Sequence, residues 1–181
     1  CMTPSEYASL LTRGQSTTSS RSQIFKTFNV KADEIVDWRE KGIVNAVKDQ
    51  GQCGSCWAFG TIQACESAYA LSTGKLLSCS EQNLVDCCTS CYGCSGGMES
   101  TALDFILNKQ SGLLNSETDY PYKAVQQSCT FDETKGINQI TGYVHGKAGD
   151  EDYLKQLSSQ GVCDIAIYAS LFSFQAYTSG I

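Results

Sequence analysis

The sequence predicts an α+β fold with two subdomains, because its two parts differ in hydrophobic pattern. Within residues 56–108 the apolar side chains recur at helical spacing, whereas the last third contains short β-branched runs at 137–144 and 162–169. Helices and strands that occupy separate stretches of a chain are typical of α+β architectures. The 181 residues are enough for one well-developed core.

The polar N-terminal stretch, residues 1–31, is predicted to be a tail or linker. Its centre reads GQSTTSSRSQ (14–23), which is rich in serine and threonine. Ahead of it, TPSEYASLL could form one or two helical turns capped by Thr3 or Ser5.

Three helices are predicted next. In the first, residues 56–71, the apolar positions include Trp57, Ile62, Cys65 and Ala68, and Gly74 is expected to end the helix. A second, short helix lies within 78–87, where Ser78 and Glu81 have the spacing of a capping box. The third, within 96–108, places its apolar side chains on one side: Met98, Ala102, Phe105 and Ile106.

The final third is predicted to contain a strand at 137–144, a short helix capped near Asp150, and a strand at 162–169. The two strand segments are rich in β-branched residues. The second is apolar on both faces, so it is expected to have neighbours on both.

Composition excludes two classes of function. The formal net charge of −6 offers nothing that attracts nucleic-acid phosphates. No segment approaches the roughly 20 apolar residues of a membrane span. The eleven cysteines indicate an oxidising compartment with disulfides, and their odd number leaves at least one thiol outside them.

The segment GQCGSCWAFG (51–60) raises four interpretations. A zinc site would combine Cys53 and Cys56 with Cys91 and Cys94, but the 34 residues between the two pairs exceed the usual spacing of about 15–20. A redox CxxC would follow a strand in a βαβ unit, and no such pattern precedes it. Structural half-cystines suit Cys53 better than Cys56. The fourth interpretation is a nucleophile at the head of a helix.

The fourth interpretation is supported by a family resemblance. Residues 53–57 read CGSCW, which matches the C-G-[SA]-C-[WY] signature of papain-like cysteine proteases. The stretch VDWREKGIVNAVKDQGQCGSCWAF (36–59) resembles the mature start of papain and cathepsin L-like enzymes. Later segments of the chain resemble family segments in the same order: SEQNLVDC, YGCSGG, DYPYKA, GYV and FSFQAYTSGI.

The resemblance implies a papain-like two-subdomain fold and a cysteine endopeptidase that works through a Cys56 thioester. Residues 32–181 would be the peptidase domain, with a complete helical subdomain and a C-terminally incomplete β-rich one. Residues 1–31 would be the remnant of an inhibitory pro-segment and its linker. Cys56 matches the nucleophile, and a helix start favours its thiolate. Gln50 matches the glutamine of the oxyanion hole.

The resemblance also implies disulfides and a substrate cleft. Cys53 would pair with Cys94, and Cys87 with Cys129, while Cys88 and Cys91 could bond each other. Cys65 and Cys79 are expected to be small core residues, and Cys163 is expected to pack within its strand.

In the cleft, Gly96 and Gly97 would let an extended peptide approach the backbone. Met98, Glu99 and Ala166 match positions around the main specificity pocket. Met98 and Ala166 would favour a bulky apolar side chain two positions before the cut, while Glu99 could accept a basic side chain or point to solvent.

One element of the expected mechanism has no match. The family's catalytic His and Asn lie roughly 130–150 residues after the nucleophile. The sole histidine, His145, follows Cys56 by 89 residues and is expected to be a surface residue. The chain alone is therefore expected to be inactive. A non-catalytic papain-like binding or inhibitory module is the alternative.

The remaining expectations concern the partners, cofactors and cellular location of the protein. Polypeptide substrates are the expected partners, together with the chain's own pro-segment or a separate C-terminal chain. No cofactor or metal is expected. A lysosomal, vacuolar or secreted location would suit the disulfides.

Overall fold

A computed structural model describes residues 36–179 of the chain. In chain order the helices are α1 (Cys56–Thr73), α2 (Glu81–Cys87), α3 (Glu99–Lys109), α4 (Glu151–Ser158) and α5 (Phe172–Gln175), and the strands are β1 (Leu113–Asn115) and β2 (Gly136–Gln139). Single 3-10 turns occupy Gly93–Ser95 and Glu133–Lys135. The helical turns and linker predicted within residues 1–31 lie outside the described residues.

Helix α1 is the central element and confirms the first predicted helix. It packs against α2 and α3, and it buries Trp57 and Ile62 completely. Gly74 ends it in the left-handed conformation (φ 73°) and donates its N–H to the carbonyl of Ala70 at 2.8 Å. Ala68, which the sequence pattern placed on the apolar face, is exposed instead.

Helices α2 and α3 confirm the second and third predictions, with one correction to a cap. The hydroxyl of Ser80, not that of Ser78, accepts the N–H of Asn83 at the start of α2. Ser78 instead uses its carbonyl to accept the N–H of Glu117. In α3 the buried side chains are Ala102, Phe105 and Ile106, while Met98 precedes the first turn.

The two strands form an antiparallel pair in which Leu113 lies opposite Gln139 and Leu114 opposite Asn138. The strand predicted at 137–144 is therefore right for its first residues only, and β1 was not predicted. The side-chain amide of Asn138, which is buried, donates to the carbonyl of Cys65 at 3.1 Å. This bond ties the sheet to α1.

The strand predicted at 162–169 is wrong. Helix α4 begins as predicted, with the Asp150 carboxylate accepting the N–H of Tyr153. The segment after it forms no ladder with any described residue, and Ile165 and Ile167 are 63% and 55% exposed. A β-branched run becomes a strand only where another strand offers hydrogen bonds. Cys163 is therefore half-buried in an irregular segment.

Three disulfides link the helical part of the structure. Cys53 is bonded to Cys94, Cys87 to Cys129, and Cys88 to Cys91. The first pair joins the segment before α1 to the turn before α3. Cys65 and Cys79 lie in the hydrophobic core, as expected for small apolar residues.

The architecture is thus an α+β fold in which the helices carry the core. The largest fully buried apolar side chains come from α1, α2, α3 and β1: Trp57, Ile62, Leu84, Ile106 and Leu114. The β content of the described residues consists of one two-stranded sheet. None of the described helices is long and apolar enough to cross a membrane.

Candidate active site

Cys56 is the first residue of α1. The N–H groups of a helix's first turn have no partner within the helix, so this end attracts negative charge. The side chain is half-buried and forms no disulfide. A thiol in this position is both accessible and close to groups that stabilise a thiolate.

Gln50 and Cys56 line the same cavity, which has a volume of about 350 Å³. In the present arrangement the Gln50 amide donates to the carbonyl of Cys53 at 2.8 Å. That bond holds the side chain beside the start of α1 and uses one of its two amide hydrogens. The structure therefore brings together the two residues to which the sequence assigned nucleophile and oxyanion donor.

Tyr122 fixes the loop of Gln50 to the start of α1. Its hydroxyl donates to the carbonyl of Gln50 at 2.8 Å and lies 2.6 Å from Oγ of the buried Ser55. Its ring packs edge-on against Phe59, with centroids 4.9 Å apart. The sequence pattern could not predict this role of Tyr122, because Gln50, Ser55 and Phe59 precede it by more than 60 positions.

The glycine pair is held against the same helix. Gly54 donates its N–H to the carbonyl of Cys94 at 2.9 Å, and the Trp57 indole donates to the carbonyl of Gly93 at 3.1 Å. Gly96 has φ 130°, a conformation that favours glycine. A Cβ at Gly97 would collide with the Trp57 ring. Gly96 is therefore favoured by its backbone conformation, and Gly97 by the space that the Trp57 ring occupies.

The residues predicted to surround the specificity pocket also come together. Met98, Glu99 and Ala166 line a second, larger cavity of about 1090 Å³ between α1, α3 and the segment after α4. Met98 and Glu99 are half-buried, and Ala166 is exposed. Asp164, which the sequence reasoning missed, lines the same cavity.

His145 and Cys56 line different cavities. It is exposed, its Nδ1 lies 2.8 Å from the carbonyl of Gly146, and it lines the larger cavity. The expectation of a surface histidine is confirmed.

An ionic cluster that the sequence reasoning also missed contributes Lys48 and Glu81 to the wall of the smaller cavity. Lys48 Nζ lies 2.5 Å from Glu81 and 3.3 Å from Glu66, and both carboxylates are almost completely buried. Glu66 also accepts the N–H of Cys79 and the side-chain amide of Asn45. Burial raises the pKa of Glu81 to about 7, although Lys48 opposes that rise. The cluster ties the segment that carries Gln50 to α1 and α2.

A helical scaffold carries a cysteine at the start of its central helix and a glycine-lined edge beside it. This arrangement is the one expected of the class of papain-like thiol proteases. The model of the papain family of cysteine proteases matches residues 32–181, and the chain belongs to that family. This places the fold among known enzymes.

Curated relatives of the chain are cysteine proteases, in agreement with this family assignment. Cathepsin K of Mus musculus is 43% identical over 152 residues, covering 83% of this chain and 46% of the relative. The senescence-specific cysteine protease SAG12 of Arabidopsis thaliana is 40% identical over 190 residues, covering 99% of this chain and 54% of the relative. The chain thus spans about half the length of the curated relatives it matches.

Two solved structures that are similar to this chain are enzyme precursors. Digestive procathepsin L 3 of Tenebrio molitor larval midgut is similar with a TM-score of 0.74 and 36% identity, covering 88% of this chain and 51% of that one. A recombinant stem bromelain precursor gives a TM-score of 0.77 at 33% identity, with the same two coverages.

Within residues 36–179, the four cysteines that form no disulfide are expected to differ in reactivity. Burial raises the pKa of Cys65 strongly and that of Cys79 to about 12, so little thiolate forms at either site near neutral pH. Iodoacetamide should therefore label Cys56 of the folded chain at least about 100-fold faster than these two. Peptide mapping by mass spectrometry after timed labelling would measure this. Labelling in urea, which exposes all the thiols, is the control, and equal rates in the folded chain would contradict the expectation.

Proposed function

We propose that Cys56 is the nucleophile of a cysteine endopeptidase site and that Gln50 donates to the oxyanion of its tetrahedral intermediate. The thiolate would attack the scissile carbonyl carbon, and the carbonyl oxygen would take the negative charge. The Gln50 amide and the backbone N–H at the head of α1 would stabilise that charge. Expulsion of the amine, which needs a proton, would leave a thioester on Cys56 for water to hydrolyse.

The observation that carries this proposal is the shared cavity of Cys56 and Gln50. Six positions separate them in the chain, and the Cys53 carbonyl and the Tyr122 hydroxyl keep them adjacent. Family membership supports the same roles.

The proposed substrates are polypeptides bound in extended form along Gly96 and Gly97. Met98 and Ala166 would contact the side chain two positions before the cut. We further propose a lysosomal, vacuolar or secreted location, which the three disulfides support. The similarity to enzyme precursors supports residues 1–31 as part of a pro-segment.

A peptide aldehyde tests the two roles without requiring turnover. It forms a hemithioacetal with a thiol, and the resulting oxygen resembles the oxyanion of the intermediate. We expect Cys56→Ala to abolish binding and Gln50→Ala to weaken it by about 10²-fold, because one oxyanion donor is lost. Gln52→Ala, on the exposed neighbour, is the matched control and should bind as the wild type does. Unchanged binding by Gln50→Ala would remove Gln50 from the oxyanion hole.

A second candidate function is a non-catalytic module that binds peptides. The observation that favours it is the position of His145, the sole histidine of the sequence, which is exposed and lines the other cavity. Such a module would bind through the same glycine-lined edge without cleaving. Peptide turnover, measured after the part of a relative that carries the catalytic His and Asn is joined to residues 32–181, separates the two candidates.

A further inference from the structure

The larger cavity has carboxylates from two different elements in its wall. Glu99 stands in the first turn of α3, and Asp164 lies in the irregular segment after α4. The same wall contains the apolar side chains of Met98 and Ala166. The cavity therefore combines an apolar surface with localised negative charge.

The Asp164 carboxylate is only partly compensated, because a backbone hydrogen bond from Ile165 is the one group that favours its charged form. Its Oδ2 atom is buried and has no hydrogen-bond partner, and no ion pair among residues 36–179 involves Asp164 or Glu99. Burial raises the pKa of Asp164 to about 7, and repulsion from Glu99 adds to the rise. A buried anion in this condition is costly until it is protonated or meets a cation.

The sequence leaves room for this carboxylate in α1. A Cβ at residue 60 would collide with the Asp164 carboxylate in its present position, so Gly60 lets that carboxylate pack closely against α1. Glycine inside a helix costs about 0.5–1 kcal/mol relative to alanine, and its presence here accommodates the acidic side chain.

Other ionisable groups around the cavity are already engaged or lie on different elements. Lys147 places its ammonium 4.5 Å from the centre of the Tyr153 ring, and Asp150 caps α4. Tyr143 also lines the cavity, and its hydroxyl donates to Asp104. The remaining titratable groups near Asp164 or in the cavity wall are Cys65, Cys163, His145 and Glu151.

We propose that Glu99 and Asp164 are specificity-determining residues that make this pocket select a lysine or arginine side chain two positions before the cleavage site. The aliphatic stem of such a side chain would lie against Met98 and Ala166, as long cationic side chains do on apolar surfaces. Its charged end would reach the two carboxylates and donate to the unpartnered Oδ2 atom of Asp164. This inference rests on the proposed function, and it replaces the apolar preference expected from Met98 and Ala166 alone.

The test compares two peptide reagents that differ only in the selected side chain. Acetyl-Arg-Ala and acetyl-Leu-Ala fluoromethyl ketones would alkylate Cys56. Chloroacetamide carries no side chain that could enter the larger cavity, so its rate would report the reactivity of the thiol alone. We expect the arginine reagent to react about tenfold faster than the leucine reagent at pH 8, from one charge-assisted contact. The advantage should fall towards pH 5, because Asp164 then becomes protonated.

The variants Glu99→Gln and Asp164→Asn should each reduce the arginine-to-leucine ratio towards one, with chloroacetamide labelling unchanged. Glu133→Gln, on an exposed turn, is the matched control. The arginine-to-leucine ratio of labelling rates can be measured on the wild-type chain alone. The test therefore remains valid even if one of the variants fails to fold. Suppose that both peptide reagents label Cys56 faster than chloroacetamide does, but that the leucine reagent is at least as fast as the arginine reagent. This result would overturn the proposed specificity and leave the proposed function standing. If neither peptide reagent exceeded chloroacetamide, the peptide site and its specificity would both fail.

Discussion

Lys48→Met is expected to lower the free energy of unfolding by up to about 3 kcal/mol at pH 8. The substitution keeps the aliphatic stem but leaves Glu66 and Glu81 buried without their cation. Removing one partner of a buried ion pair typically costs about 3–5 kcal/mol, and the lower end applies because the Lys48 side chain is 27% exposed. For a domain whose whole stability is about 5–15 kcal/mol this is a large loss.

The loss should be smaller in acid. In the folded wild type the pKa of Glu81 is raised from 4.5 to about 7, so the folded state holds a proton that the unfolded state releases. The contribution of this group to stability is therefore full below pH 4.5 and is lost as the pH rises to about 7. Without Lys48 the pKa of Glu81 rises further, and the penalty should grow from pH 5 to pH 8.

Urea denaturation at both pH values would measure the effect. Lys41→Met, at an exposed position, is the matched control and should change the midpoint little. A Lys48→Met penalty that was equal at pH 5 and pH 8 would show that lost packing, rather than charge, is responsible.

Peptide hydrolysis by the 181-residue chain alone is expected to stay at background. Cleavage requires a group that protonates the leaving amine, and a histidine normally supplies it in this family. His145 is exposed and does not share the cavity of Cys56. A chimera in which residues 32–181 are followed by the part of a relative that carries the catalytic His and Asn should gain at least about 10³-fold in peptide turnover, the scale lost when a nucleophile–base pair is broken.

Release of a fluorophore from a peptide amide would measure this gain. The same chimera with Cys56→Ala is the control and should be inactive. Turnover by the original chain that disappeared in both Cys56→Ala and His145→Ala would show that His145 acts as the base. Binding of peptide aldehyde by a chimera that never turns over substrate would favour the non-catalytic module.

The sequence was a good guide to structure that is specified locally. Helix α1 followed from the recurrence of Trp57, Ile62 and Cys65, and its end followed from Gly74, because periodicity and caps are written in consecutive residues. The cap of α2 was misplaced by two residues, since Ser78 and Ser80 are equally good caps and tertiary hydrogen bonds decide between them.

The sequence was a poorer guide where distant residues decide the outcome. The run at 162–169 has the composition of a strand but no described neighbour to pair with. Tyr122, the Lys48 cluster and the contact of Asp164 with Gly60 each join positions far apart in the chain, and spacing cannot reveal them. Cys56 and Gln50 were assigned through their resemblance to a family motif, and the structure then placed them together.

The bond between Cys53 and Cys94 constrains the conditions under which Cys56 can work. Cys53 is completely buried, whereas its partner Cys94 and the Cys56 thiol are both half-buried. Thiol–disulfide exchange requires an attacking thiolate to reach a sulfur atom, so access controls its rate. A reductant that restores an oxidised Cys56 to the thiol can therefore reach the neighbouring crosslink at the Cys94 sulfur, but not at the Cys53 sulfur. The redox conditions that suit the chain are those in which the nucleophile is reduced while the scaffold around it remains oxidised.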